Sequence, residues 1–175
     1  MKVIKTDIDA NSIDKAIAEL EDYREKINNK FEQFVETLIQ GGVSIAGICV
    51  AGTQGDSKLP DVTYEIDSSG EIINASIYLI GSDVLFVEFG AGIAYNTGAE
   101  HPKAAEFGYG IGTYPSKHPP NRAINPGYWY YTDHDSVGAN VSTLSIGTEA
   151  TMPMYRAAES MRNECIQKAL DVFRS

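Results

Sequence analysis

The sequence holds few of the residues on which metal and nucleophile sites depend. Two cysteines and three histidines are present, and they include no Cys-x-x-Cys pair and no spaced Cys/His set. Because zinc centres are assembled from such spaced ligands, a zinc site is not expected. Cys49 and Cys165 each lie in an apolar segment, which predicts two reduced core residues in a cytoplasmic protein.

Basic clusters and long hydrophobic runs are missing as well. The 14 lysines and arginines are outnumbered by 24 aspartates and glutamates, for a formal net charge of −10. Nucleic-acid-binding proteins usually present a basic patch, so sequence-specific nucleic-acid binding is not expected. We identify no signal peptide and no membrane span. A chain of 175 residues has room for one domain with a sizeable core, and we expect a single domain over residues 1–175.

Catalytic motifs are equally scarce. No Gly-x-Ser-x-Gly elbow occurs, and the Gly-x-Gly-x-Gly run at 108–112 lacks the spacing and context of a phosphate loop. Asp133-His134-Asp135 has the chemistry of a metal ligand set or general base, but a solvated turn is the favoured explanation. Paired carboxylates for sugar hydrolysis stay open, because such pairs are assembled in three dimensions. We expect no cofactor and no metal.

The most informative stretch is residues 84–92, an apolar run that carries Glu88 and ends in Gly90-Ala91-Gly92. A run this short is compatible with a buried strand or with a buried helical turn. In either case Glu88 should be buried, and a buried carboxylate must be hydrogen-bonded or paired. We favour a structural anchor over a catalytic acid, with backbone N–H groups of the glycine turn as its expected partners.

Helical periodicity dominates both ends of the chain. The polar residues 9–12 offer helix caps. Residues 12–40 then carry one apolar stripe, with Asp22 and Lys26 spaced to pair on the outside, which predicts a long helix that Gly41-Gly42 ends or kinks. The stripe favours packing on the protein's own sheet over a coiled-coil seam. Residues 43–52 indicate a second buried helix, with a strand as the alternative. Pro153 opens a C-terminal helix over 153–173. Its predicted buried stripe consists of Tyr155, Ala158, Met161, Cys165, Ala169 and Val172.

Between the helices the pattern changes to strands and loops. Residues 61–80 alternate around an Asp-Ser-Ser-Gly turn, which predicts a β-hairpin. Residues 93–126 form a long irregular loop rich in Gly, Tyr and Pro, of a length that is usually functional or disordered. Residues 127–132 predict an aromatic strand, and 141–146 a further strand. The expected fold is therefore α+β: a mostly antiparallel sheet of about four strands, with the N-terminal and C-terminal helices packed on one face.

Two segments resemble the tail-completion (head–tail joining) proteins of long-tailed bacteriophages. Residues 85–92, LFVEFGAG, are similar to an apolar V/I-E-F-G-T-G stretch that follows a hairpin in that family, with Ala91 where threonine is more frequent. Residues 147–158 are similar to an A-x-x-P-M/F-x-x-A segment that opens the family's last helix. The order of elements matches along nearly the whole chain, except for the unusually long loop between Tyr95 and Asn125.

This resemblance implies a structural virion-assembly protein and no enzyme. It would form a ring, typically a hexamer, between the connector of the DNA-filled head and the tail tube, made in the host cytoplasm and ending in the virion neck. Interfaces favour aromatic residues and methionine, so the expected contact surfaces are the 93–126 loop and the exposed face of the hairpin. The structural and interface candidates are Glu88, Gly90, Gly92, Tyr109, Tyr114, Trp129, Pro153 and Met154.

The alternative from another class is a small hydrolase, with cell-wall glycans as one possible substrate. Glu88, His134 and Asp135 would then supply its acid, base or metal ligands. That hypothesis predicts Glu88 in an open cleft with a perturbed pKa, whereas the assembly hypothesis predicts a Glu88 that is closed off by packing.

Overall fold

The chain alternates helical and extended elements, and its computed structural model describes residues 9–55, 57–69, 72–92, 98–110, 129–132 and 142–174. The elements are, in order, α1 (Ala10–Ala51), β1 (Asp61–Asp67), β2 (Asn74–Ile80), α2 (Val84–Phe89), β3 (Trp129–Thr132), β4 (Ser142–Ser145) and α3 (Pro153–Arg174). The predicted α+β class is confirmed, with α1 and α3 packed against each other as its frame.

Helix α1 begins with the expected polar cap. The carboxylate of Asp9 accepts a hydrogen bond from the backbone N–H of Ser12 at 3.0 Å, which satisfies one of the free donors of the first turn. The predicted outward pair also forms, with Lys26 Nζ lying 2.7 Å from Asp22 Oδ2. The helix then runs for 42 residues to Ala51 without a break.

The prediction that Gly41-Gly42 ends α1 is wrong. Both glycines are helical, and residues 43–52 continue the same helix, apart from Gly52, which caps it. The physical reason is a close approach at Gly42. A Cβ placed there would lie 2.7 Å from both Ile77 Cδ1 of β2 and Met161 Sδ of α3. Gly42 therefore marks the point where the hairpin, α1 and α3 meet, which is a packing role for glycine in mid-helix.

The uninterrupted helix also changes the assessment of membrane spans. Sequence analysis identified none, yet α1 is long and apolar enough to cross a membrane by length and composition alone, with a mean hydropathy of 1.6 over its best window. A mostly buried core helix of a soluble protein passes the same test; here 28% of the window is buried, and Ile39, Ala46 and Val50 of α1 belong to the core. The length is reached because the predicted helices over 12–40 and 43–52 are one continuous helix.

Paired alanine substitutions test the close approach at Gly42. Gly41→Ala should raise the free energy of unfolding by up to about 1 kcal/mol, because nothing lies within 4 Å of the added methyl group. Gly42→Ala should instead lower it by about 1 kcal/mol, because displacing Ile77 and Met161 outweighs the gain in helix propensity. Urea unfolding of both variants measures the difference, and equal stabilisation at the two positions would contradict the contact.

The apolar stripe of α1 packs differently from the prediction. Its C-terminal half lies mainly against α3 and also meets the hairpin, so a helix and not a sheet is the principal partner. Its N-terminal half is largely exposed to solvent, at Ile13, Ile17, Leu20 and Tyr23. The expectation that the whole stripe is buried on the protein's own sheet is therefore wrong for about the first four turns and for the identity of the partner.

The predicted β-hairpin is confirmed, and its turn chemistry is visible. Strands β1 and β2 pair antiparallel in the register Asp61↔Ile80 to Asp67↔Asn74. At the start of the turn, the Ser69 hydroxyl and backbone N–H donate to Asp67 Oδ1 at 2.7 and 3.0 Å. These two bonds, the hydroxyl one first, hold the pKa of the Asp67 carboxyl below its ordinary value.

The predicted strands near 127–132 and 141–146 are also present as β3 and β4, which pair antiparallel in the register Trp129↔Ser145 to Thr132↔Ser142. The prediction of one sheet of about four strands is not confirmed. Within the described ranges the strands form two separate two-stranded sheets, β1–β2 and β3–β4.

Helix α3 begins at Pro153, as predicted. Its predicted buried stripe is partly correct: Val172 is buried, and Tyr155, Met161, Cys165 and Ala169 are half-buried. Ala158 is exposed and Ala157 is buried in its place. Both cysteines are free thiols, with Cys49 buried and Cys165 half-buried.

Candidate functional site

The central apolar stretch forms a short buried helix, which resolves the alternative between strand and helical turn. In α2 the side chain of Val87 is fully buried, and Glu88 and Phe89 are 8% and 9% exposed. The helix stops at Gly90, which has a φ of +74°, and Gly92 has a φ of +73°. Residues with a side chain rarely adopt such positive φ values, so the backbone conformation at the end of α2 favours glycine at both positions.

Glu88 caps the N-terminus of α3. The backbone N–H of Met154 donates to Glu88 Oε2 at 2.8 Å, and that of Tyr155 donates to Oε1 at 2.9 Å. An N-cap side chain normally makes such bonds, but the residue before Pro153 is methionine and has no acceptor in its side chain. Pro153 has no N–H to satisfy. A carboxylate from another helix therefore replaces the missing cap, and its charge lies at the positive end of the helix dipole.

The 8% exposure of Glu88 confirms its predicted burial, and these bonds correct its predicted partners. The donors are the first N–H groups of α3, not those of the glycine turn. A sequence signal for this pairing did exist: a helix that opens with Met-Pro has no cap of its own, and a buried glutamate needs donors. Nothing local connects the two, because 66 residues separate Glu88 from Met154.

His101 is the second buried polar residue of the site, and sequence analysis missed its role. Its Nδ1 accepts a hydrogen bond from the backbone N–H of Lys103 at 3.0 Å, so a neutral imidazole carries its proton on Nε2. That nitrogen lies 3.4 Å from Glu88 Oε1. Glu88 is thus contacted by two backbone donors and by one imidazole, all inside the fold.

Aromatic rings surround this polar pair. Phe89 stacks on Tyr109 with ring centroids 5.6 Å apart, and Phe107 and the His101 ring lie 5.2 and 4.5 Å from Phe89. Tyr155 closes the other side of His101 at 5.1 Å. The part of the predicted irregular loop that is described, residues 98–110, therefore packs against α2 through its rings. The His101 ring beside Glu88 is thus held between Phe89 and Tyr155.

The segment before α3 is joined to the glycine turn by backbone hydrogen bonds. Ala91 and Thr148 exchange both of their N–H···O bonds, at 3.0 and 2.9 Å. Three residues after Thr148, the N–H of Thr151 donates to the carbonyl of Val87 at 3.1 Å. Residues 147–155 are thereby held against residues 87–92 along their length, and Glu88 completes the connection.

Met152 lies at the corner between this segment and α3. It is buried and has a φ of +54°, the one positive φ found at a non-glycine residue in the described part of the chain. Such a conformation costs about 1–3 kcal/mol and persists where the surrounding structure over-determines it. Here the N–H of Met152 points toward the Val87 carbonyl at 3.4 Å, and its own carbonyl accepts the first bond of α3 from Arg156. No sequence pattern signals this strain.

The structure brings together most of the residues predicted as structural or interface candidates. Glu88, Pro153 and Met154 form the cap, Gly90 and Gly92 form the adjoining turn, and Tyr109 stacks on the neighbouring ring. Two candidates are not placed at the site. Trp129 lies in β3, where the backbone alone is described, and Tyr114 lies outside the described residues, as do His118, His134 and Asp135.

Glu88 acts as a structural link between α2 and the start of α3. Both carboxylate oxygens of Glu88 are occupied by backbone donors, and the side chain is closed off by packing, which is the geometry expected of a structural anchor. In the described ranges no three His, Cys, Asp or Glu side chains are grouped so as to hold a metal ion.

Comparison with known proteins identifies no relative of this chain. No protein-family model, no curated protein and no solved structure matches the chain.

Proposed function

We propose that the protein is a structural virion-assembly protein of a tailed phage or prophage, which joins the DNA-filled head to the tail. It assembles as a ring, with sixfold symmetry as the expected stoichiometry, between the head connector and the tail-tube or terminator proteins. It performs no catalysis in this role and stays in the neck of the finished virion.

The single observation that carries the proposal is the union of the two segments that resemble the tail-completion family. Residues 85–92 and 147–158 are far apart in the sequence, yet they form one structural unit through the Ala91–Thr148 pair and the Glu88 cap on α3. Two segments that resemble the same family and are also hydrogen-bonded to each other support a structural role shared with that family. Two segments that resembled the family by chance would not be expected to pack against each other in this way.

The charge of the chain is compatible with a ring through which DNA passes. An excess of ten negative charges repels the phosphate backbone, so DNA would pass without adhering to the protein.

A single sheet of about four strands remains part of the proposed family architecture.

Electron microscopy of a phage or prophage that lacks the gene tests the function. Negative-stain images of the lysate should show separate DNA-filled heads and finished free tails, because neither part can attach without the joining ring. Complementation with the wild-type gene should restore complete virions. Normal virions without the gene would contradict the proposal and direct attention to hydrolase assays on the purified protein.

The same complementation system tests the 93–126 loop as a contact surface. Deleting residues 103–121 would test it poorly, because Ala104 is buried and Phe107 and Tyr109 pack against Phe89. Deleting residues 111–121 leaves those contacts in place. This shorter deletion should still yield folded protein but should fail to join heads and tails, and full complementation would remove the loop from the proposed interface.

A further inference from the structure

The hairpin of β1 and β2 has two outer strand edges. The strands pair with each other, and among the described residues no backbone hydrogen bond joins either outer edge to another element. One face of the hairpin packs on α1, where Ile77 lies against Gly42. A row of unpaired N–H and C=O groups accepts a further strand, and a two-stranded sheet gains stability from one. The edges are therefore candidate surfaces for strand pairing.

The two edges differ in their protection against pairing. Strand β1 carries Asp61, Glu65 and Asp67 and directly follows Pro60. Charged side chains and proline are features by which natural proteins keep an edge strand from pairing with other chains. Strand β2 has the sequence NASIYLI, with no charged residue and no proline. Its last residues are apolar and open to solvent, with Ile80 57% exposed. The edge of β2 is therefore the one on which association is expected.

The charges of the hairpin indicate which strand fits the β2 edge. Like charges directly opposite each other destabilise a strand pair, so the acids of β1 disfavour a second β1 as neighbour. Beside β2 the same acids lie opposite uncharged residues, as the hairpin itself shows: Asp61 pairs with Ile80 and Glu65 with Ser76. The Tyr78 hydroxyl also donates to Glu65 Oε2 at 3.4 Å. The strand pairing made within one chain can thus be repeated between β2 of one copy and β1 of another.

Symmetry distinguishes this contact from the pairing of β2 with a second β2. Two identical edges close at two copies, whereas two different edges continue the contact from copy to copy and close into a ring when the rotation allows. Rotation about an axis that runs along the strands leaves the strand direction unchanged. β2 of one copy then meets β1 of the next in antiparallel orientation, as it does in the hairpin. Pairing of unlike edges is therefore compatible with a ring.

We propose that neighbouring subunits are joined edge to edge, with the outer edge of β2 in one copy paired antiparallel to the outer edge of β1 in the next. The register is that of the hairpin, with Ser76 opposite Glu65 of the neighbouring copy. The choice of a second copy rests on the proposed function as well as on the charges of the two strands. The contact is made by backbone groups at the edges, and so it is distinct from the exposed face of the hairpin and from the 93–126 loop. Main-chain hydrogen bonds provide the affinity of such strand addition, and the flanking side chains provide its specificity.

Light scattering coupled to size-exclusion chromatography of the purified full chain tests the contact. At about 100 µM, well above the Kd of a micromolar complex, the wild type should have a mass that is a multiple of one chain. Ser76→Glu should have the mass of one chain, because it places a second carboxylate opposite Glu65 of the neighbouring copy. The matched control is Ser76→Lys, which puts the opposite charge at the same exposed position and should retain the wild-type mass.

A charge exchange separates loss of the contact from loss of the fold. Ser76→Glu also faces Glu65 of its own hairpin. The double variant Glu65→Lys/Ser76→Glu restores opposite charges in the hairpin and in the contact, and it should recover the wild-type mass. Far-UV circular dichroism of each variant should match the wild type. A folded double variant with the mass of one chain would contradict the proposed register.

Disulfide trapping between two differently tagged chains tests which edges meet. In a Cys165→Ser background, a Thr63→Cys chain is mixed with a Tyr78→Cys chain, since these positions lie opposite each other in the hairpin register. Mild oxidation should give a disulfide between the two kinds of chain and little within either kind. Ile166→Cys, at a position of α3 that is 76% exposed, replaces Tyr78→Cys in the control and should not cross-link to Thr63→Cys.

Three results would overturn the contact. They are a wild-type chain that stays monomeric at this concentration, a Ser76→Glu variant that associates as the wild type does, and a Tyr78→Cys chain that cross-links mainly to itself. The last would show a symmetric pair of β2 edges. Failure of the proposed function is a separate result, since normal virions made without the gene would leave the measured association of the chain unchanged.

Discussion

Glu88→Gln should lower the free energy of unfolding by about 2–3 kcal/mol, the cost of losing a charge-assisted bond and leaving a buried donor unpaired. The carboxylate accepts the N–H groups of Met154 and Tyr155 with one oxygen each. A carboxamide has one acceptor oxygen, so its NH₂ group would face a second donor. Urea unfolding followed by far-UV circular dichroism measures the loss, which should appear as a lower midpoint with an unchanged slope.

Glu106→Gln is the matched control, because it makes the same change at an exposed position of the neighbouring segment. Its effect should lie within about 0.5 kcal/mol of zero, as for most surface substitutions. Equal effects at the two positions would contradict the capping role of Glu88. If instead Glu88→Gln preserved stability and abolished a hydrolytic activity, the hydrolase alternative would replace the assembly proposal.

Gly147→Ala should be more damaging, with an expected loss of about 3–5 kcal/mol from backbone strain and steric overlap together. Gly147 has a φ of +107°, and a Cβ there would lie 2.6 Å from the carbonyl oxygen of Ala91. That oxygen accepts the N–H of Thr148 at 2.9 Å. The obstacle is backbone that is already hydrogen-bonded, so the overlap cannot be relieved without breaking the Ala91–Thr148 pair. Urea unfolding again provides the measurement.

Gly108→Ala separates the two contributions. Gly108 also has a positive φ, of +74°, but nothing lies within 4 Å of an added Cβ. It should therefore show the strain alone, about 1–2 kcal/mol. A folded Gly108→Ala variant beside a Gly147→Ala variant that is unfolded or much less stable agrees with the close approach at Gly147. Similar stabilities of the two variants would show that the junction between the glycine turn and the segment before α3 tolerates a side chain.

Elements whose causes are local could be predicted closely. The hairpin follows from alternation and from Asp67-Ser68-Ser69, whose side chains bond within two residues of one another. The start of α3 at Pro153 and the cap of α1 at Asp9 depend on the conformations of a few adjacent residues. Burial of Glu88 was predicted from its apolar neighbours alone. In each case the residues that determine the structure lie within one or two turns of chain.

Features that depend on distant segments could not be predicted in this way. A glycine pair favours the end of a helix on local grounds, and only the approach of Ile77 and Met161 explains why α1 continues through Gly42. The positive φ of Met152 likewise arises from contacts across the fold.

The same limit applies to the site and to the stripe of α1. An apolar stripe predicts that a helix packs against another element but does not identify that element. Ile17 and Leu20 are exposed because α3, the partner of α1, ends near Phe31. The cap of α3 by Glu88, and the approach of His101 to it, join parts of the chain that no short-range pattern connects. Local conformational preference was readable in the sequence. Partners brought together by chain reversal were not, because the contact energy that selects them arises only when the segments meet.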